Sequence, residues 1–316
     1  MHLLIPFVAP PQSAAGQALP QLQLPHLQAL LSRLQVQAPL DCGIDSYDTP
    51  HERVHARLLQ LEGADGQLPW AAWQTRFADV AIGQDNSPCA WLTLCHWQTH
   101  SQGFVMTDPD DLAVTDEESQ QLLALMQPYF SQDGLSLSHW APGQWLVRGP
   151  WFAQLRCASL DRVINCHIGS WMAQGPQALQ WHRLQSEMQM LLYTHQVNDT
   201  RSARGQRTIN SFWLTGAGVD PVQGPGRAPT MDLVIADDLR KPALHGQWPL
   251  WRQAWLALDQ GAVHQALLAH GSGQAVSLTL CGERQCRTYE TGPRSWLQRL
   301  AQHWTSASLP QHLDGL

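Results

Sequence analysis

Three arginines, Arg201, Arg204 and Arg207, recur at every third position in a chain that is otherwise poor in charge. On a helical segment this spacing sets three guanidinium groups along one face, where their planar forks could hold a carboxylate or phosphate in bidentate fashion. Asn198 and Asn210 bracket them, and the apolar run that follows ends in Gly216-Ala217-Gly218. The bland reading of the same residues is a helix C-terminus whose arginines complement the dipole, followed by a turn through Gly205. Spacing alone leaves both open.

A second group lies in "IADDLRKPALHGQWP", where Asp237, Asp238 and His245 follow a buried strand. In an α/β sheet the carboxyl end of a strand is where ligands bind, and Asp and His there can hold a divalent cation. Alternatively, Asp237 caps the following turn. Ser46 and Thr49 in "IDSYDTPHE" stand at a helix N-terminus, which favours an anion, although capping alone accounts for Thr49. Other chemistries lack their residues. "TGAGVD" has no third glycine, and Pro221 stands where a dinucleotide-binding helix should begin. Cys95-His96 and Cys166-His167 are adjacent pairs whose side chains leave a strand on opposite faces, which does not suit chelation of one ion. Lys241 is the sole lysine, and neither a P-loop nor a G-x-S-x-G elbow is present.

Elements that could position these residues follow from periodicity. "HLLIPFV" reads as a buried strand, and "LPHLQALLSRL" as a helix with leucines at 24, 27, 30, 31 and 34. Two capping boxes open helices, Thr49 with Glu52 and Thr115 with Glu118. "CAWLTLCHW", "LSLSHW", "QWLVRG", "INSFWL", "MDLVIAD" and "AVSLTLC" read as strands, and "GAGVDPVQGPGRAP" as a turn-rich loop. "LQWHRLQSEMQMLLYTHQV" carries Trp181, Leu184, Met188, Leu191 and Leu192 on one helical face. Further helices are expected at "WPLWRQAWLALD", "AVHQALLAH" and "SWLQRLAQHW".

The 316 residues suffice for a large α/β domain or a core with a smaller insertion. With 19 basic against 26 acidic residues, a net charge of −7 and no basic stripe, nucleic acid is not an expected partner. No apolar run is long enough to span a membrane, and "MHLLIPFVAPPQ" lacks the pattern of a signal peptide. Seven cysteines, an odd set lying mostly in apolar runs, suit reduced buried thiols in the cytosol. The 15 tryptophans indicate a tightly packed fold.

The stretch "THQVNDTRSARGQRTINSFWLTGAG" resembles a segment of the archaeal-type cofactor-independent phosphoglycerate mutases, in which a helix runs into His-Pro-Val-Asn, a basic turn, Ala-Asn, an apolar strand and Arg-Gly-Ala-Gly. It is more similar still to the bacterial RpfE-type regulatory proteins, through "SEMQMLLYTH", "VND", "NSFWL" and "SLTLCGER". With those the resemblance spans nearly the whole chain, and with the mutases residues 187–218. It implies an α/β fold, an abbreviated alkaline-phosphatase-like core sheet flanked by helices (1–89 and 211–316), carrying a smaller cap-like α+β portion (90–210).

The resemblance places Ser46 where the mutases have their serine nucleophile. It makes Asn198, Arg201, Arg204, Arg207, Asn210, Gly216 and Gly218 an anion- or substrate-binding surface. The mutases also place a metal-binding Asp directly after their first strand, where this chain reads "IPFVAPP", and Thr215 stands where they have Arg. The expectation is a cytosolic regulatory or ligand-binding protein without their two-metal site, partnered by a phosphorylated small molecule or a protein. The alternative is a Mn²⁺- or Mg²⁺-dependent phosphomutase or phosphatase with a site rebuilt from Ser46, Asp237, Asp238 and His245. A third reading is an interaction protein displaying Trp-rich grooves.

Overall fold

Leu3, Leu4 and Ile5 are inaccessible to solvent, as a strand covered on both faces must be. They belong to β1 of a computed structural model that describes residues 1–11, 13, 14, 16, 19, 22–77, 86–219, 232–292, 313, 315 and 316. In chain order the strands are β1 (His2–Ile5), β2 (Gln35–Val36), β3 (Leu40–Asp41), β4 (Cys89–Cys95), β5 (Trp97–His100), β6 (Gly103–Met106), β7 (Ser136–Ala141), β8 (Gln144–Arg148), β9 (Ser211–Gly218), β10 (Leu233–Ile235), β11 (Ser277–Cys281) and β12 (Gln285–Glu290). The protein is mixed α/β, and its strands fall into two compact units.

The first unit comprises Met1–Asp45, Thr49–His55 and Pro229–Leu316. Its sheet has the order β10-β1-β11-β12-β2, with β3 also on β12. β1 runs parallel to both neighbours, pairing Leu3 with Val234 and with Leu278, and β12 returns antiparallel. The helix Pro25–Leu31 turns Leu27, Leu30 and Leu31 inward, and Trp248–Leu258 contributes Trp251, Trp255 and Leu258. The two helices expected between residues 248 and 271 are joined through a π-helical turn, Asp259–Val263. Asp259 on that turn is buried and accepts from Leu27 N (2.8 Å), His26 N (3.3 Å) and His26 Nδ1 (3.0 Å). No side chain of the capping residue Leu24 does this, so Asp259 satisfies the orphan donors of the helix N-terminus from a distant part of the chain.

The second unit comprises Ser46–Asp48 and Ala56–Ala228. Its antiparallel sheet has the order β7-β8-β4-β9, with β5 and β6 a separate hairpin. The helix Asp116–Gln132 packs Leu122, Met126 and Phe130 into the core, and Ala178–Tyr193 packs Trp181, Leu184, Met188 and Leu192. Trp181 meets Phe212 of β9 at 5.5 Å between ring centroids. Both sequence-read capping boxes are present, with Glu52 Oε2 2.9 Å from Thr49 N and Glu118 Oε2 3.0 Å from Thr115 N.

The expected boundaries at 89/90 and 210/211 differ from this division. β4 and β9 pair from Cys95↔Ser211 to Cys89↔Gly218, so the strand opening the expected insertion and the strand closing it share one sheet. The expected helix at "SWLQRLAQHW" and the residues of the turn-rich loop beyond Val219 lie outside the described residues.

Candidate functional site

The arginine row does not form a common solvent-facing surface. The helix Gln196–Ala203 ends with Arg204 as its C-cap, and Gly205 turns the chain at φ +67°. Arg201 points inward and is buried. Its Nη1 lies 2.7 Å from Glu118 Oε2, its Nε donates to Arg207 O at 2.7 Å, and its Nη2 donates to Leu112 O. Each nitrogen of the fork has a protein acceptor, which leaves no bidentate face for a ligand. Arg204 and Arg207 are exposed. Arg207 lies near His96, whose pKa is lowered by burial and, secondarily, by the Arg207 charge, against the opposing hydrogen bond to Thr208 O. His96 Nδ1 is 2.8 Å from that carbonyl.

The flanking asparagines imitate backbone. Asn198 is buried; its Nδ2 donates to Leu192 O and Ile209 O, and its Oδ1 accepts from Ile209 N, all at 2.7 Å. Asn210 Oδ1 accepts from Trp97 N at 2.7 Å and its Nδ2 donates to Trp97 O at 2.9 Å. One asparagine ties two helices to the entry of β9, and the other continues the β4–β9 ladder past its last pair. Gly216 and Gly218 lie within β9 rather than in a loop. The register slips between Thr215 and Gly218, and Gly216, at φ +63°, sits where a β-carbon would come within 2.8 Å of Trp70 Cβ and 3.1 Å of Ala71 N. A β-carbon on Gly218 would meet Pro69 at 2.7 Å. These glycines bring the bulged strand close against Pro69, Trp70 and Ala71.

Ser46 donates to Asp65 Oδ1 at 2.6 Å and to Asp48 O at 3.0 Å. The same carboxylate accepts from Tyr47 N (3.1 Å), Asp48 N (3.2 Å) and Arg156 Nη2 (2.6 Å). Burial pushes the Asp65 carboxyl up, yet these hydrogen bonds more than offset it and hold it below the usual carboxylate range. An ionised, heavily solvated carboxylate is a weak base for activating a serine. Arg156 stacks over the Tyr47 ring at 4.5 Å, which ties the cluster together.

At the carboxyl end of β1 the chain presents Pro6 and Phe7. Phe7 adopts φ +58°, its carbonyl accepts the Trp251 indole at 2.9 Å, and its ring lies 5.3 Å from the His51 ring. At the end of β10, Asp237 and Asp238 sit exposed in a short 3-10 turn, whose N-cap is Ala236. Half-buried His245 caps the C-terminus of the helix that follows, Arg240–Leu244.

No H-E-x-x-H is expected among the histidines, yet His51-Glu52-Arg53-Val54-His55 at this edge fits that pattern. In a zinc hydrolase the glutamate would face metal-bound water. Here Glu52 Oε2 is turned back onto Thr49 N and Thr49 Oγ1, both at 2.9 Å, and His51 Nε2 is 3.2 Å from Thr49 Oγ1. The motif is a capping box flanked by two histidines. Burial, followed by the nearby His51, lowers His55 to about 4.

No family model matches the chain, and no curated protein does. Two solved structures cover 92% of it. The cofactor-independent phosphoglycerate mutase of Thermoplasma acidophilum DSM 1728 is 14% identical with a TM-score of 0.37, over 89% of its own length. The PH0037 protein of Pyrococcus horikoshii is 13% identical with a TM-score of 0.45, over 87% of its length.

Tryptophan-lined grooves find little support, because every described tryptophan is buried or half-buried. Trp171, Trp181 and Trp213 line a cavity of about 10 Å³ with Cys157, Met172 and Gln185. That is below the roughly 300 Å³ at which small-molecule pockets begin.

Proposed function

We propose that this chain is a cytosolic regulatory or ligand-binding protein related to the cofactor-independent phosphoglycerate mutases, working without two-metal phosphoryl transfer. The observation that carries this reading is the end of β1. The mutases it resembles place a metal-binding Asp there, whereas here Pro6 and Phe7 occupy the position and the Phe7 ring packs against His51. Carboxylate oxygens suit magnesium and manganese, and two-metal transfer needs both ions to activate the nucleophile and neutralise the developing charge. A proline and a phenyl ring offer no ligand, so the Asp that the mutases place there has no counterpart at this position. Ser46 supports the same reading, since its hydroxyl is spent on Asp65.

The ligand is a phosphorylated small molecule met by exposed Arg204 and Arg207, the two members of the row that remain in solvent. A protein partner fits Leu179, Met190 and Tyr193, exposed on the helix Ala178–Tyr193. Thermal melting with a panel of phosphorylated metabolites tests the ligand, because binding to the native state raises the midpoint by mass action. A rise that disappears in the double variant Arg204→Ala/Arg207→Ala supports it. A rise unchanged in that variant removes these arginines from the site, and no rise with any compound removes the small-molecule ligand.

A further inference from the structure

Three thiols lie close together at one end of the first unit's sheet. Cys281 of β11 stands directly opposite Cys286 of β12. The next pair toward the turn is hydrogen-bonded, with Gly282 N donating to Gln285 O at 2.9 Å, and at the far end of the ladder Thr291 N donates to Val276 O at 3.0 Å. Antiparallel pairs alternate, so both ends of the ladder make Cys281–Cys286 a non-hydrogen-bonded pair. Such pairs bring their Cα atoms to about 4.5 Å and their side chains closest together. This lies inside the Cα span of about 4.4–6.8 Å that a disulfide bridges. The two side chains are in hydrogen-bond contact.

Cys42 follows β3, which pairs Leu40 with Cys286 and Asp41 with Gln285. Cys42 N donates to Arg284 O at 2.9 Å, which places Cys42 opposite Arg284. The Cys42 thiol also lies near enough to Cys281 for the two to interact electrostatically, which places it beside the Cys281–Cys286 pair. Unlike the buried pair it is half-exposed, just past a two-residue strand at the sheet edge.

We propose that Cys281 and Cys286 are a reversible dithiol–disulfide site, oxidised by a low-mass disulfide of the glutathione class that enters through Cys42. The Cys42 thiolate attacks one sulfur of the oxidant, forming a mixed disulfide and releasing one small thiol. Cys286 then attacks the Cys42 sulfur and releases the second small thiol. Finally Cys281 attacks the Cys286 sulfur and returns Cys42 as a thiol. Two protein thiols lose two electrons, the oxidant disulfide gains them, and the two protons leave on the small thiols. Burial, together with the Cys286 contact, pushes the Cys281 thiol up. A protonated, shielded thiol attacks an external oxidant slowly, which is why the half-exposed Cys42 is needed as the point of entry.

The full-length reduced protein, held native in a buffer of glutathione disulfide and glutathione, is quenched with an alkylating reagent and mapped by peptide mass. A Cys281–Cys286 linkage reversed by excess glutathione is the expected product, formed several-fold more slowly in Cys42→Ser. Cys286→Ser should stop as a glutathione adduct on Cys42. Recovery of all three as alkylated thiols overturns the proposal, as does a stable Cys42–Cys286 linkage. An unchanged rate in Cys42→Ser overturns its role as the entry thiol. The wild-type map decides even if the Cys286 variant does not fold.

Discussion

Arg201 Nη1 and Glu118 Oε2 are 2.7 Å apart, with the guanidinium side chain 1% and the carboxylate 13% exposed. The same glutamate closes the capping box of its own helix at Thr115. Removing the cation strands a shielded carboxylate and two backbone acceptors, so Arg201→Ala should cost about 3–5 kcal/mol of unfolding free energy. Arg204→Ala and Arg207→Ala should each stay within about 0.5 kcal/mol, as exposed substitutions do. Urea unfolding of the three variants separates a structural arginine from two surface ones. Equal, small losses in all three would contradict the buried placement of Arg201.

Asn198 carries three hydrogen bonds at 2.7 Å to main-chain groups of residues 192 and 209. Asn198→Ala leaves those groups buried and unsatisfied, at a cost of about 2–3 kcal/mol. The fall in stability should appear without added ligand. A variant of native stability that has lost ligand binding would return Asn198 to a binding role.

Two glycines with nearly the same φ separate backbone strain from close packing. At Gly205, φ +67°, a β-carbon would have nothing within 4 Å, whereas at Gly216, φ +63°, it would meet Trp70 and Ala71. Gly205→Ala should cost about 1 kcal/mol from the left-handed backbone alone. Gly216→Ala should cost about 2 kcal/mol or more, because overpacking adds to strain. Denaturation midpoints measure the difference, and equal losses would contradict the contact with the Trp70 helix.

Acid should weaken the protein through histidines held neutral. His55 has a folded pKa of about 4 against an ordinary 6.5, lowered by burial and then by His51. Burial likewise lowers His2 and His96. Between those two values the unfolded chain binds a proton that the folded chain refuses. The contribution is therefore complete above pH 6.5 and is lost as pH falls toward 4. Urea midpoints should fall across this window in the wild type and fall less steeply in His55→Gln. Parallel slopes would remove His55 as a cause.

Much of the local structure was legible because it follows from nearest neighbours. Thr49 with Glu52 and Thr115 with Glu118 announce helix starts, and the leucines of Pro25–Leu31 and the apolar stripe of Ala178–Tyr193 announce buried faces. What the sequence concealed depends on distant partners. Arg201 turns inward because Glu118 and the Leu112 carbonyl wait 83 and 89 residues earlier in the chain. Gly216 and Gly218 belong to a strand because Pro69, Trp70 and Ala71 pack against them. The helix Pro25–Leu31 is capped by Asp259, 232 residues beyond Leu27, and no local pattern announces that. The Cys281–Cys286 pairing was within reach, since a short loop between two strand-like runs sets such a register.

The proposed function has this chain working without two-metal phosphoryl transfer. Its most direct test is turnover by the purified protein supplied with Mn²⁺ or Mg²⁺ and either 3-phosphoglycerate or a generic phosphate ester. No product above the metal-only background is expected, for the wild type and for Ser46→Ala alike. Metal-dependent turnover in the wild type that is lost in Ser46→Ala would contradict that function and establish a rebuilt catalytic site.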